Sequence, residues 1–170
     1  MRMFEGMVNN GPARPRVQAM FDTSTRPGTT ADELVGEMVR HSGARPSDNV
    51  MLAGSDTGLL VELCRRGFAH ACLAAAPCPR GAETADVLWL PHASAEALAG
   101  GRLHGFVHGL RDGGTVVLQG DAPASRDVVA ALRHLLHAEG CQAVGQMVRA
   151  SGFCLFARKP ARRQHAALAA

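Results

Sequence analysis

Hydrophobic and polar positions along this chain form blocks that predict strands and helices in regular succession. Short apolar runs predict buried strands, and longer stretches with apolar residues three and four positions apart predict helices. Strands are predicted at residues 49–53, 71–75, 86–90 and 115–119, and then at 142–149 and 153–158 around Ala150-Ser151-Gly152. Strand–helix alternation that ends in a hairpin indicates an α/β domain with a mainly parallel sheet and an antiparallel edge.

Local end signals place the helices between these strands. Thr30 and Glu33 form the capping-box pattern that begins a helix, and Gly43 is suited to end it. Asp112-Gly113-Gly114 predicts a tight turn before the strand at 115–119. Further helices are predicted at residues 59–66, from Ser94 to near Leu110, and from Ser125 to Gly140.

The two ends of the chain differ in composition from its centre. Residues 1–28 are rich in proline, glycine and arginine and predict an N-terminal arm, whereas residues 161–170 predict a basic, flexible tail. The segment 29–160 is long enough for one domain with a sizeable core. Because the sequence has no apolar run of about 18 residues and no apolar segment near Met1, we expect neither a membrane span nor a secretory signal. The expected location is the cytoplasm.

Composition and charge narrow the chemistry. The 170 residues include no tyrosine, which excludes a tyrosyl acid or base. The five cysteines are odd in number and form no C-x-x-C pair, so we predict reduced and mostly buried thiols, and no metal site. The net charge of +3 is modest, although residues 141–170 carry basic side chains and no acid. A solvated tail is favoured there over a nucleic-acid surface.

The first predicted strand runs directly into a glycine-bounded turn, Gly54-Ser55-Asp56-Thr57-Gly58, and then into a helix. This arrangement presents backbone N–H groups to a nucleotide-like ligand. Asp56 could contact an amino group of that ligand or cap the following helix, and the cap is favoured. A short-chain dehydrogenase is disfavoured by the missing tyrosine, and a Walker-type loop by the missing G-K-S/T.

Four segments in order resemble the class I S-adenosylmethionine-dependent methyltransferases. They are Val50–Gly58, Ala85–Leu90, Leu110–Leu118 and the closing hairpin that ends in Phe156–Pro160. The resemblance implies a Rossmann-like sheet that binds S-adenosylmethionine at Gly54, Ser55, Asp56, Thr57 and Gly58 and near Pro91. In the N-terminal half, Met7-Val8, residues 15–20 and Thr29-Thr30 are similar to protein-L-isoaspartate O-methyltransferases.

The chain departs from that family at three points. Leu52 stands where the family has an acid in the first strand, and Ala74–Ala76 stand where an acid normally accepts the ribose hydroxyls. Residues 76–85 are too few for a crossover helix and another parallel strand, so the family's third strand is predicted to be missing. Together with the resemblance, these three departures imply a degenerate cofactor site.

His92 is the candidate catalytic residue. It follows the strand at 86–90, where the family's substrate-side residues lie, and a neutral imidazole there could act as a general base. The alternative is a surface histidine in a turn. Trp89 is assigned to the core, and His104, His108, His134 and His137 to solvent-facing helix positions without a metal. Asp86, which opens the strand at 86–90, could be functional, although families of this fold often place an acid there for structural reasons.

Three functions follow from these observations. The first is a non-catalytic methyltransferase-like domain that acts by binding or regulation, with the edge of the second strand as a contact surface, for instance in a homodimer. The second is an active methyltransferase with an atypical pocket. The third, a nucleic-acid-binding accessory domain, would use Arg158, Lys159, Arg162 and Arg163. The acceptor, the partner and the oligomeric state are not predicted.

Overall fold

A computed structural model describes residues 30–76, 84–98, 102–120, 125–149 and 152–161. The predicted arm and residues 162–170 of the predicted tail lie outside these ranges. None of the helices in the described ranges is long and apolar enough to cross a membrane. The elements in chain order are α1 (Ala31–Ser42), β1 (Val50–Ala53), α2 (Thr57–Arg65), β2 (Ala71–Ala74), β3 (Ala85–Leu90), α3 (Ala95–Leu98), α4 (Arg102–His108), β4 (Leu110–Gly120), α5 (Arg126–Ala138), β5 (Gln142–Arg149) and β6 (Gly152–Arg158).

The six strands form one sheet in the order β2-β1-β3-β4-β6-β5. Strands β1 to β4 pair in parallel, and β6 pairs antiparallel with both β4 and β5. The predicted mainly parallel sheet with an antiparallel C-terminal pair is therefore confirmed. Within the described ranges β2 has β1 as its single neighbour, and residues 77–83, between β2 and β3, are not described.

The helix ends follow the predicted capping signals. Thr30 and Glu33 exchange both capping-box hydrogen bonds, and Gly43 adopts φ +68° at the end of α1. Asp56 and Ser125 cap α2 and α5 by accepting from backbone N–H groups three residues further on. Helix α2 begins at Thr57, two residues before the predicted start, because the Asp56 cap includes the turn residues in the helix.

Two predictions between Ser94 and Gly114 need correction. Ser94 does cap a helix, but the described residues form two short helices, α3 and α4, rather than one helix reaching Leu110. Leu110 instead begins β4 and pairs with Ala85 of β3. Gly113 has the φ of +78° expected for the predicted turn, yet its N–H donates to the carbonyl of Lys159, so the turn lies within the strand.

Apolar side chains from both faces of the sheet form the core. Helices α1 and α2 cover the face that carries Leu52 and Trp89, and helices α3, α4 and α5 cover the face that carries Leu88 and Leu118. Trp89 is fully buried, as predicted, and its indole N–H donates to the side chain of Gln119. Sequential residues point to opposite faces of a strand, so strands covered on both faces are apolar throughout.

Candidate functional site

The carboxyl ends of β1 and β3 lie side by side, because Val50 pairs with Val87 and Leu52 with Trp89. The loop after β1 and the turn after β3 therefore meet at one edge of the sheet, where open α/β sheets bind their ligands. Asp56 Oδ2 lies 3.7 Å from His92 Nε2, with exposed side-chain fractions of 27% and 15%. The structure thus brings the predicted loop and the predicted catalytic residue together.

The loop after β1 is fixed by hydrogen bonds at both ends. Gly54 adopts φ +121°, which only glycine tolerates easily, and its N–H donates to the carbonyl of Ala74 at 3.0 Å. Asp56 Oδ1 accepts from the N–H of Leu59 at 3.1 Å. The helix-cap interpretation of Asp56 is therefore confirmed, and its second oxygen remains on the side of His92. Ser55, Thr57 and Gly58 are exposed along this loop.

His92 has a backbone conformation that is rare outside glycine. Its φ of +55° lies in the left-handed region, between buried Pro91 and Ala93, whose N–H donates to the carbonyl of Gln119. Such strained residues persist where the surrounding structure fixes them, and they cluster at functional sites. His92 lies in the predicted turn and its side chain is half-buried there.

The contact between Asp56 and His92 is the feature that sequence reasoning missed. The two residues are 36 positions apart and share no motif. The signal that could have found them is topological, since each follows directly after one of two neighbouring parallel strands. A neutral imidazole can accept a proton from a nearby group, and a carboxylate at 3.7 Å then attracts the imidazolium that results.

The described residues of β1 and of the end of β2 carry no acidic side chain. Leu52 is fully buried against the α1 and α2 side of the sheet. At the end of β2 the Ala74 carbonyl accepts a hydrogen bond from the N–H of Gly54. Ala75 and Ala76 are exposed, and their methyl side chains offer no hydrogen-bond acceptor. Among the described residues of β2 and its end, 71–76, no side chain offers a carboxylate to a ribose hydroxyl.

Asp86 links neighbouring strands, which agrees with the structural one of its two possible roles. Its Oδ2 accepts from the backbone N–H of Asn49 at 2.7 Å and from the Asn49 side chain at 3.1 Å, and Arg111 Nε lies 2.5 Å from Oδ1. This cluster sits at the start of β1 and β3, the opposite end of these strands from His92. The carboxylate therefore links β1, β3 and β4 rather than facing the candidate site.

The remaining histidines and cysteines agree only in part with expectation. His104, His134 and His137 are exposed, and His108 is half-buried. In the described ranges no group of three or more metal-ligating side chains is arranged to hold a metal. Cys141 and Cys154 are buried, but Cys64 and Cys72 are exposed, so the prediction of mostly buried thiols is wrong for these two. Burial raises the pKa of the Cys141 thiol, and nearby Glu139 adds to that effect.

The structure describes the basic C-terminal segment as far as residue 161. Arg158 is exposed, whereas Lys159 Nζ donates to the carbonyl of Leu110 at 2.6 Å. The ammonium of Lys159 is therefore engaged with the backbone at the start of β4. Arg162 and Arg163, the other candidate nucleic-acid contacts, lie outside the described residues.

Comparison with known proteins identifies the fold. No protein-family model matches the chain, and no curated protein matches its sequence. Among solved structures, an S-adenosylmethionine-dependent methyltransferase from Aquifex aeolicus aligns with a TM-score of 0.60 and 10% identity, over 74% of this chain and 89% of that one. An S-adenosylmethionine-dependent O-methyltransferase from Thermotoga maritima aligns with a TM-score of 0.57 and 10% identity, over 83% of this chain and 70% of that one.

The same fold also appears in a protein described by another reaction. The 4+2 cyclase SpnF aligns with a TM-score of 0.58 and 11% identity, over 76% of this chain and 82% of that one. The chain therefore has a methyltransferase-type fold. Likeness at this level of identity establishes the fold, and the activity has to be argued from the site.

Proposed function

We propose that this chain is a methyltransferase-fold domain with a degenerate cofactor site that acts by binding rather than by methyl transfer. The observation that carries the proposal is that neither β1 nor the described end of β2 carries an acidic side chain. Leu52 is buried in the core, and the residues that end β2 are Ala74, Ala75 and Ala76. These positions offer no side-chain acceptor for the polar groups of S-adenosylmethionine.

The expected loss of affinity is large. A hydroxyl left unpaired in a closed site costs about 1–3 kcal/mol, so two ribose hydroxyls cost about 2–6 kcal/mol. Since about 1.4 kcal/mol corresponds to a tenfold change in affinity, this loss weakens binding roughly 30-fold to 10⁴-fold. We expect that the backbone N–H groups of the loop from Gly54 to Gly58 alone do not replace these acceptors.

The edge of β2 is the surface that we propose for binding. Its outer side has no partner strand within the described ranges, and it presents exposed Cys72 and half-buried Ala71, Leu73 and Ala74. An unpaired strand edge can accept another strand through backbone hydrogen bonds. A homodimer formed by this edge is the arrangement we favour. Light scattering after size-exclusion chromatography tests it, since Leu73→Pro in β2 should give monomers of a folded protein.

Isothermal titration with S-adenosylmethionine and S-adenosylhomocysteine tests the degenerate site. We expect no binding at micromolar concentrations and no rise in melting temperature at millimolar cofactor. Ala75→Asp and Ala76→Asp serve as matched variants, because each adds a carboxylate at an exposed position where the family has an acid. Micromolar binding by the natural chain would overturn the proposal.

The contact between Asp56 and His92 favours a second candidate, an active methyltransferase with an atypical pocket. His92 is half-buried, has a φ of +55° and faces a carboxylate at 3.7 Å. This arrangement is suited to taking a proton from the substrate group that would receive the methyl group. For this candidate we expect cofactor binding, and a rate that His92→Gln lowers at least 100-fold without loss of cofactor affinity. An unchanged rate in His92→Gln would exclude this role.

Two narrower interpretations stay predictions. The similarity to protein-L-isoaspartate O-methyltransferases rests on residues 7–30, nearly all of which lie outside the described ranges. A nucleic-acid partner would depend mainly on Arg158, Arg162 and Arg163, because Lys159 is engaged with Leu110. Binding that weakens steeply between low and physiological salt would support that partner.

A further inference from the structure

A histidine pair on α4 meets a carboxylate from another helix. His104 and His108 lie one helical turn apart, and their Nε2 atoms are 2.9 Å from each other. His104 Nδ1 lies 2.7 Å from Oε2 of Glu139, the C-cap residue directly after α5. Both ring nitrogens of His104 are thus engaged, one by a histidine of its own helix and the other by a distant carboxylate.

Glu139 determines which nitrogen of His104 carries the proton. An ionised carboxylate only accepts hydrogen bonds, so Nδ1 of His104 is protonated where it contacts Glu139, and in the neutral imidazole Nε2 then presents a lone pair. In that tautomer the lone pair lies toward His108 Nε2 at 2.9 Å, with His108 as the donor. If the proton of His108 Nε2 moves to Nδ1 of the same ring, the Nε2 lone pairs of His104 and His108 face the same space. A carboxylate behind a ligand histidine is a common arrangement in metal sites.

We propose that His104 and His108 bind one divalent transition-metal ion through their Nε2 atoms, with Glu139 as a positioning residue. Two nitrogens at about 2.0–2.1 Å from a metal stand about 2.9 Å apart at a right angle and about 3.3 Å apart at the tetrahedral angle. The observed 2.9 Å is the length of a hydrogen bond, and it equals the right-angle spacing, so a turn of the two rings that aims both lone pairs at one point would form the site without moving the helix. Right-angled nitrogen ligands suit Cu²⁺ and Ni²⁺ better than Zn²⁺.

Exposure and charge at the pair are consistent with this site. The His104 side chain is 49% exposed, which leaves room for water at the remaining coordination positions, and Glu139 offsets part of the metal's charge. Within the described ranges no third ligating side chain completes the group. We therefore expect an exchangeable ion held at micromolar affinity, unlike the tightly held ion of a structural zinc site.

Isothermal titration of the tag-free chain with Cu²⁺, Ni²⁺ or Zn²⁺ alone tests the proposal. Cys64, Cys72 and Cys78 are changed to serine in the background, because thiolates would compete for these metals. We expect one ion per chain, with Cu²⁺ bound most tightly. His104→Ala and His108→Ala should each weaken binding at least tenfold, and Glu139→Gln about tenfold to 100-fold.

His134→Ala and His137→Ala are the matched controls, since these exposed histidines lie three residues apart on α5. We expect them to leave affinity unchanged. Far-UV circular dichroism of every metal-free variant checks that it is folded. Equal affinity in His108→Ala and the natural chain would overturn the proposal, as would an equal loss in the two control variants.

Discussion

Replacement of Asp56 tests the candidate site because one carboxylate has two separable contacts there. Oδ1 accepts the N–H of Leu59 at 3.1 Å and caps α2, whereas Oδ2 faces His92 Nε2 at 3.7 Å. Asp56→Ala removes both contacts. Asp56→Ser keeps a hydroxyl that can cap the helix and removes the charge that faces His92.

The two contacts have different expected sizes. Loss of an N-cap side chain to alanine costs about 1 kcal/mol, and a partly exposed ion pair contributes at most about 1 kcal/mol. Asp56→Ala should therefore lower the free energy of unfolding by about 1–2 kcal/mol, and Asp56→Ser by less than about 1 kcal/mol. For a chain of this length the first value corresponds to a fall of about 2–8 °C in melting temperature.

Urea unfolding followed by Trp89 fluorescence and far-UV circular dichroism measures these changes. The double variant Asp56→Ser with His92→Gln separates the histidine contact, because the cost of Asp56→Ser should vanish once His92 is replaced. The reasoning is refuted if Asp56→Ser destabilises the protein as much as Asp56→Ala. It is equally refuted if Asp56→Ala leaves the unfolding curve unchanged.

Three further changes concern the core and its edge. Gln119→Leu leaves the buried Trp89 N–H without its acceptor and should cost about 1–3 kcal/mol in urea unfolding, whereas full stability would contradict that hydrogen bond. Burial raises the pKa of the Cys141 thiol, so this group contributes to the free energy of unfolding. That contribution is complete below the ordinary thiol pKa of 9.0 and is lost as the pH rises through the pKa of the thiol in the folded protein. Thermal melts across alkaline pH should show this loss in the natural chain but not in Cys141→Ala. In Gly120→Ala the new Cβ would lie 2.1 Å from Cε1 of buried Phe153, so we expect a loss of about 1–3 kcal/mol in the same urea assay, and an unchanged midpoint would show that the ring can move.

Elements with strong local signals could be predicted from the sequence. The capping box at Thr30 and the caps at Asp56 and Ser125 depend on residues three positions apart, and the structure contains each of them. The mainly parallel sheet with its antiparallel C-terminal pair was likewise predictable, because strand–helix alternation followed by a hairpin signal lies in the sequence itself. By contrast, Leu110 continues the apolar spacing of the α4 residues, and that spacing predicts a helix there. In the structure Leu110 pairs with Ala85 and is part of β4.

The contacts within the candidate sites could not be predicted because they join distant parts of the chain. His92 meets Asp56 across 36 positions, and Glu139 meets His104 across 35. Each contact depends on strand register or on helix packing, which residue spacing does not encode. The positive φ of His92 was also invisible, since no glycine or asparagine marks that position.

The place of β6 in the sheet has a consequence for biosynthesis. β6 lies between β4 and β5, yet it is the last of the described strands to be synthesised. Until β6 has left the ribosome and paired, one long side of β4 has no described partner strand, and β5 has no described strand to pair with. An unpaired strand edge can pair with another chain. We therefore expect chains that lack residues 152–158 to aggregate more than the full chain.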